Sequence, residues 1–346
     1  MKRAILTGPH KFRIDEIATP KPGPGEALLR VKAVGVCGSD LHLFREGIIG
    51  GVRIEDHGGP FSPGHEGMGV VEDVGSGADR SLIGKRIAIE PSMPCKKCRW
   101  CIAGKPNVCP NVRFLGMPPV GGCLGQYILH PAEACEVVPK EINDDEAVLL
   151  EPLAVSLHSI DRIQPPPGSA AVVLGAGTIG LTHVMMLAHM GMNPLIVTDV
   201  IDHRLAMARE LGATHTFNPK REDVVKAVAD LTHGAGVESV FECVGHQDTF
   251  EQMVAMACPA GRVGVAGIPD VDLFAFKHSI ARRKGLDVLM IRRANLTFHR
   301  AMNWVVKNKM PLRNLATHHW PLEKVTDAFE TAAGYKDGVV KAIVNP

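Results

Sequence analysis

The chain has 346 residues, 45% hydrophobic and 22% charged, the balance of a soluble globular protein long enough for two domains. Lys and Arg total 38 against 37 for Asp and Glu, so no net field exists to hold nucleic acid or a membrane surface, and the expected partner is a small molecule. No apolar stretch is long enough for a secretory signal or a bilayer span; four of the nine cysteines crowd into residues 95–109, which reads as metal binding in a reducing, cytoplasmic setting.

The first third of the chain carries short β-type runs broken by Gly and Pro, such as Ala27 to Val36 and Gly67 to Val74, and predicts a small, irregular β domain. Cys37 stands there in VCGSDLH, His65 and Glu66 in GHE, and Glu151 follows in EPLA. A mixed Cys, His and carboxylate set drawn from separate loops suits a catalytic zinc with one open position. Each residue also has an ordinary explanation, as a buried thiol, a loop histidine or a capping acid, and the sequence alone does not join them. Cys95, Cys98, Cys101 and Cys109 follow C-x2-C-x2-C-x7-C, a spacing that lets one compact loop wrap four thiolates around a structural zinc. The neighbouring Lys96, Lys97, Arg99 and Lys105 raise a nucleic-acid zinc-knuckle alternative, which the charge balance of the whole chain argues against.

Three consecutive prolines in DRIQPPPGS end this texture. From Ala170 onward, apolar strands alternate with helical stretches, predicting parallel βαβ units with right-handed crossovers. Gly175, Gly177 and Gly180 form a GxGxxG turn between the strand Ala171 to Leu174 and a helix, the context in which glycines and a helix N-terminus cradle a dinucleotide pyrophosphate. A nucleotide-free sheet that uses these glycines only for packing is the competing reading. Asp199 ends the next strand, nineteen residues past Gly180. Its carboxylate is expected to accept from the adenine ribose hydroxyls and to repel a 2′-phosphate, favouring NAD over NADP although Arg204 stands near. After about Arg292 the alternation stops, and an amphipathic helix near Phe298 to Lys307 leads into a tail that rejoins the first domain.

These motifs, in this order and spacing, resemble the medium-chain, zinc-dependent alcohol dehydrogenase family over essentially the whole chain. Within it they are most similar to the sorbitol, or polyol, dehydrogenase branch, through CGSDLH, AIEP, EPLAVSLH, FECVG, IRRANL and THHWPLEKVTDAFE. The resemblance implies an α/β protein: a GroES-like β-rich catalytic domain at 1–155 with the zinc lobe at 95–109, a doubly wound Rossmann domain at 156–291, and a return to the catalytic domain at 292–346. It implies a catalytic zinc on Cys37, His65, Glu66 and Glu151, the last directly or through water, and a proton relay through Ser39 and His42. Cofactor contacts are implied at Gly175, Gly177, Thr178, Ile179, Gly180, Asp199, Arg204, Val244 and Gly267. Substrate contacts are implied at Leu43 and Leu115, where the sorbitol enzymes carry aromatic residues, and at Arg292, with Arg293 departing from the pattern. The implied enzyme is a homodimer or homotetramer that moves a hydride from a secondary hydroxyl of a polyol to NAD. An L-threonine 3-dehydrogenase is the rival enzyme, since Arg292 or Arg293 suits a carboxylate; a non-catalytic NAD-binding relative is the rival class.

Overall fold

The computed structural model describes residues 1–346 apart from Gly50, Asp272 and the side chain of His57. The chain divides into two units, residues 1–154 with 295–346, and residues 155–294. The expected boundaries, after 155 and after 291, move to 154 and 294. The first falls inside the helix Asp144–Ile163, ahead of the prolines, because Val148 packs beside Gly35 of the first unit while the Ser156 hydroxyl bonds Thr182 of the second at 2.7 Å.

The first unit is built on a seven-stranded sheet in the order Cys135–Val137, Arg86–Ile89, Glu66–Val74, Glu26–Gly35, Lys341–Asn345, Ala316–Pro321, with Tyr127–Pro131 also paired to Glu26–Gly35. Along Glu26–Gly35, Ala27, Leu29, Val31 and Ala33 are buried and alternate with half-buried neighbours, the period of two that a one-sided strand requires. Ala27, Leu29 and Val31 join Leu43, Phe44, Ile87 and Phe329 in the core. Register decides the site: Gly35 pairs with Glu66 on one side and with Ile343 on the other. A Cβ on Gly35 would fall 2.3 Å from Glu66 Oε2, so only glycine leaves room for that carboxylate.

The second unit holds a six-stranded parallel sheet in the order His215–Phe217, Leu195–Thr198, Ala171–Leu174, Val237–Glu242, Ala257–Val265, Asp287–Met290. Ala171–Leu174 and Leu195–Thr198 are buried at every position, which explains their unbroken apolar runs. Strand order reverses between Ala171–Leu174 and Val237–Glu242, and a doubly wound sheet binds its ligand outside the carboxyl ends of the strands at that point. None of the described helices is long and apolar enough to cross a membrane.

Candidate catalytic and cofactor sites

Cys37 is the N-cap of the helix Gly38–Glu46. One residue of that helix, the buried Asp40, ties two segments together. Its Oδ2 accepts from the Cys37 N–H at 3.2 Å and its Oδ1 from the Gly64 N–H at 3.3 Å. The same Oδ1 lies 3.5 Å from His65 Nδ1. Ligand atoms of Cys37, His65 and Glu66 consequently fall within 4.8 Å of one another. Burial lowers the His65 pKa, but Asp40 and Cys37 beside it outweigh that effect and hold it well above the ordinary histidine value. Ser39 and His42, half-buried, share one face of the helix at i and i+3.

The four expected ligands do not all come from loops. Glu66 opens a strand, and Glu151 lies in the helix Asp144–Ile163, outside the cluster of three but near enough to feel it. Burial, reinforced by the Glu66 and Glu90 carboxylates, pushes Glu151 up to about 8. Two buried acids, Glu66 and Glu151, thus stand near one another with the half-buried Glu90 close by, and the Cys, His and carboxylate donors suit zinc.

Two residues that the sequence does not single out complete this place. Lys341, 2% exposed, donates to both oxygens of Glu66, at 2.9 and 2.6 Å. Phe114 packs against the His65 ring, with centroids 5.3 Å apart. The cue for Lys341 was a lone cation in an apolar C-terminal run; for Phe114 it was the aromatic beside Leu115.

Leu43 and Leu115, expected as substrate contacts, are instead core residues, 0% and 2% exposed. Leu43 sits on the buried side of its helix beside Phe44, so its apolar side chain serves packing. Arg292 falls in the second unit, ahead of the C-terminal return that was expected to carry it.

In the lobe, Sγ separations are 3.5 Å for Cys98 and Cys101, 3.5 Å for Cys95 and Cys109, and 3.8 Å for Cys98 and Cys109. Thiolates about 2.3 Å from a tetrahedral zinc stand roughly 3.8 Å apart, so the four sulfurs fit that ion. The lobe's own secondary structure is slight, one turn of helix at Arg99–Ile102 and a 3-10 turn at Pro106–Val108. Asn295 donates to the Gly104 carbonyl at 3.2 Å, tying the C-terminal segment to it.

The glycine turn has the expected form. Gly175 takes φ +94°, and a Cβ on Gly180 would fall 1.8 Å from the Gly175 carbonyl oxygen. The helix Thr178–His189 starts at the N-cap Gly177, leaving the first-turn N–H groups of Thr178, Ile179 and Gly180 without intrahelical acceptors. Asp199 Oδ2 accepts from the Ala176 N–H at 2.7 Å and Oδ1 from the Ile201 N–H at 2.9 Å, so the acid is fixed to the turn. Arg204, 9% exposed, carries Nη1 3.9 Å from the place of a Gly177 Cβ. A cavity of about 440 Å³ opens here, lined by Gly175, Asp199, Val200, Val244, His246 and Thr249 among others. Gly267 is set back from it, packed against Gly245 and Glu242.

Residues 23–140 match the alcohol dehydrogenase GroES-like domain and residues 178–307 the zinc-binding dehydrogenase domain. The sorbitol dehydrogenase of Bacillus subtilis is 32% identical over 346 residues, spanning 100% of this chain and 97% of that protein. The chain belongs to the zinc-dependent alcohol dehydrogenase family. An Escherichia coli alcohol dehydrogenase solved with NADH superposes with a TM-score of 0.91 at 28% identity, covering 100% of this chain and 99% of that one. A zinc-binding dehydrogenase from Sinorhizobium meliloti bound to NADP gives 0.90 at 28%, with the same coverage. As a member of this family the protein is a zinc- and NAD(P)-dependent oxidoreductase.

Proposed function

We propose that this alcohol dehydrogenase oxidises a secondary hydroxyl of a polyol to a ketone with NAD as hydride acceptor. The observation that carries the reading is the acidic donor set: Cys37, His65 and Glu66 converge, and a second buried acid, Glu151, stands beside them. Similarity to a sorbitol dehydrogenase supports it. Zinc bound there supplies Lewis-acid polarisation that makes a hydroxyl more acidic. The chain supplies the rest. Asp40 orients His65, Lys341 offsets the charge of Glu66, and Phe114 walls the place on one side. Ser39 and His42 carry the hydroxyl proton away along one helix face. In the second unit the Asp199 carboxylate favours an unphosphorylated ribose, hence NAD over NADP.

Arg292 carries a planar guanidinium of the kind that suits hydroxyls remote from the reacting carbon. We read the enzyme as a cytoplasmic homo-oligomer; no disulfide joins any of the nine cysteines, as a reducing compartment favours, and Met290 is 56% exposed on the edge strand Asp287–Met290.

The test is NADH and NADPH production across polyols, short secondary alcohols and L-threonine, with and without a chelator. Chelator-sensitive turnover of polyols with NAD is expected; turnover of threonine alone would overturn the reading. Arg292→Ala should lose roughly 1 to 3 kcal/mol in kcat/KM for a long polyol and much less for a short alcohol.

A further inference from the structure

Glu242 ends the strand Val237–Glu242, is 0% exposed, and has no part in the chemistry proposed above. Its Oε1 accepts three hydrogen bonds, from the Val244 N–H at 2.9 Å, the Gly245 N–H at 2.8 Å and the Thr249 hydroxyl at 2.8 Å. Its main-chain carbonyl accepts two more, from the N–H groups of Ala266 at 2.8 Å and Gly267 at 3.1 Å. One residue thereby anchors two loops, and the loops touch: a Cβ on Gly245 would lie 2.5 Å from the Ile268 carbonyl oxygen, and one on Gly267 2.2 Å from the Gly245 nitrogen. Val244 presses on the glycine turn as well, with Cγ2 2.6 Å from the place of a Gly175 Cβ. Val244 and Thr249, both adjoining this anchor, line the cavity that contains Asp199.

The other oxygen, Oε2, is buried with no hydrogen-bond partner among the described residues. Burying an acid costs free energy, and burial raises the Glu242 pKa against the opposing pull of the Gly245, Val244 and Gly267 N–H groups and the Thr249 hydroxyl. What its charge supplies in return is strength on the other oxygen, because hydrogen bonds to an ionised acceptor are roughly twice as strong as neutral ones.

We propose that Glu242 is a positioning residue for the dinucleotide, holding Val244 and Thr249 as one wall of the nucleotide cavity and setting their distance from Gly175 and Asp199. The inference rests on that cavity being the cofactor site. Glu242→Gln keeps the shape and the accepting oxygen but removes the charge. It should raise the Kd of NADH about tenfold, as expected when charge-assisted bonds become neutral. ADP-ribose, which shares the adenosine end and lacks nicotinamide, should weaken by the same factor. The KM for NAD should rise while kcat at saturating NAD, the KM for the alcohol and the zinc content stay near wild type. Thr249→Val, which removes one donor and leaves the acid, should shift the NADH Kd in the same direction by less. Wild-type NADH affinity in Glu242→Gln would overturn the proposal. So would weakened binding accompanied by a matching fall in kcat and in the unfolding transition, which marks a merely structural role. If Glu242→Gln does not fold, Thr249→Val decides, and an unchanged Kd counts against the proposal. Failure of the wild-type protein itself to bind NADH would instead sink the cofactor reading.

Discussion

Lys341 Nζ reaches across the strand Glu26–Gly35 to grip both oxygens of Glu66, and it also donates to the Val36 carbonyl at 3.0 Å. Taking the cation away leaves a carboxylate 1% exposed with its charge uncompensated. Lys341→Met should lower stability by about 3 to 5 kcal/mol, the usual result of removing one member of a buried pair. Added zinc should recover more stability in the variant than in the wild type, since zinc can also offset Glu66 and favours the folded chain in which its ligands are assembled. Thermal melts with zinc and with chelator check this; a variant that melts like wild type in chelator would show that the pair adds little.

Asp199 is fixed to the glycine turn by two main-chain donors, and its proposed second partner is the cofactor ribose. Asp199→Ala removes the acceptor for Ala176 and Ile201 together with any contact to the hydroxyls. The expected fall in kcat/KM for NAD corresponds to roughly 1 to 3 kcal/mol. Activity with NADP should fall less, because a repulsive charge goes too. Steady-state kinetics with both cofactors decide the matter, and an unchanged preference would deny Asp199 the ribose.

Leu43 and Phe114 make opposite predictions. Leu43→Ala opens a cavity in a packed core and should cost about 2 to 5 kcal/mol while leaving the substrate range alone. Phe114→Ala, beside His65, should alter the KM for the alcohol with little change in that for NAD. Denaturant unfolding and a substrate panel on both variants separate the two; an altered panel in Leu43→Ala would return that residue to the pocket.

Stability should also fall in acid for an identifiable reason. His183 is 0% exposed, its Nδ1 lies 2.8 Å from the Ile179 carbonyl oxygen, and burial lowers its pKa to about 4. Between the ordinary histidine value near 6.5 and about 4, the unfolded chain binds a proton that the folded chain refuses. Stability therefore rises with pH across this window and is lost as pH falls through it, by on the order of 3 kcal/mol for the full shift. Unfolding curves at pH 7 and pH 4 should show a larger drop for wild type than for His183→Leu. Equal drops would mean that His183 is solvated.

The Rossmann unit was legible because its signals are local. The run Ala171 to Leu174, the turn Gly175 to Gly180 and Asp199 lie close in sequence, and each has a fixed meaning at its spacing. The cysteine lobe is equally self-contained. Cys37, His65 and Glu66 could be joined only through family resemblance, since the turn at Gly64, the strand register at Gly35 and the hydrogen bonds of Asp40 bring them together. Lys341 lies further off still, 275 residues from Glu66, and a lysine in a strand ordinarily reads as a solvated edge residue. Leu43 was misplaced for the converse reason: a position aligned with an aromatic pocket residue carries no information on its own burial, whereas its neighbour Phe44 and the apolar face of the helix did.

The strand Lys341–Asn345 lies inside its sheet, beside Glu26–Gly35, although it is translated some three hundred residues later. On a ribosome the inserted unit of residues 155–294 is complete while the earlier unit still lacks that strand and leaves a pairing edge of Glu26–Gly35 open. During that interval the nascent chain is exposed to mispairing, and Glu66 has no ammonium to meet. Arrival of the last strand closes the sheet and delivers Lys341 in the same event, so that structural completion and the charge balance of the metal site are reached together.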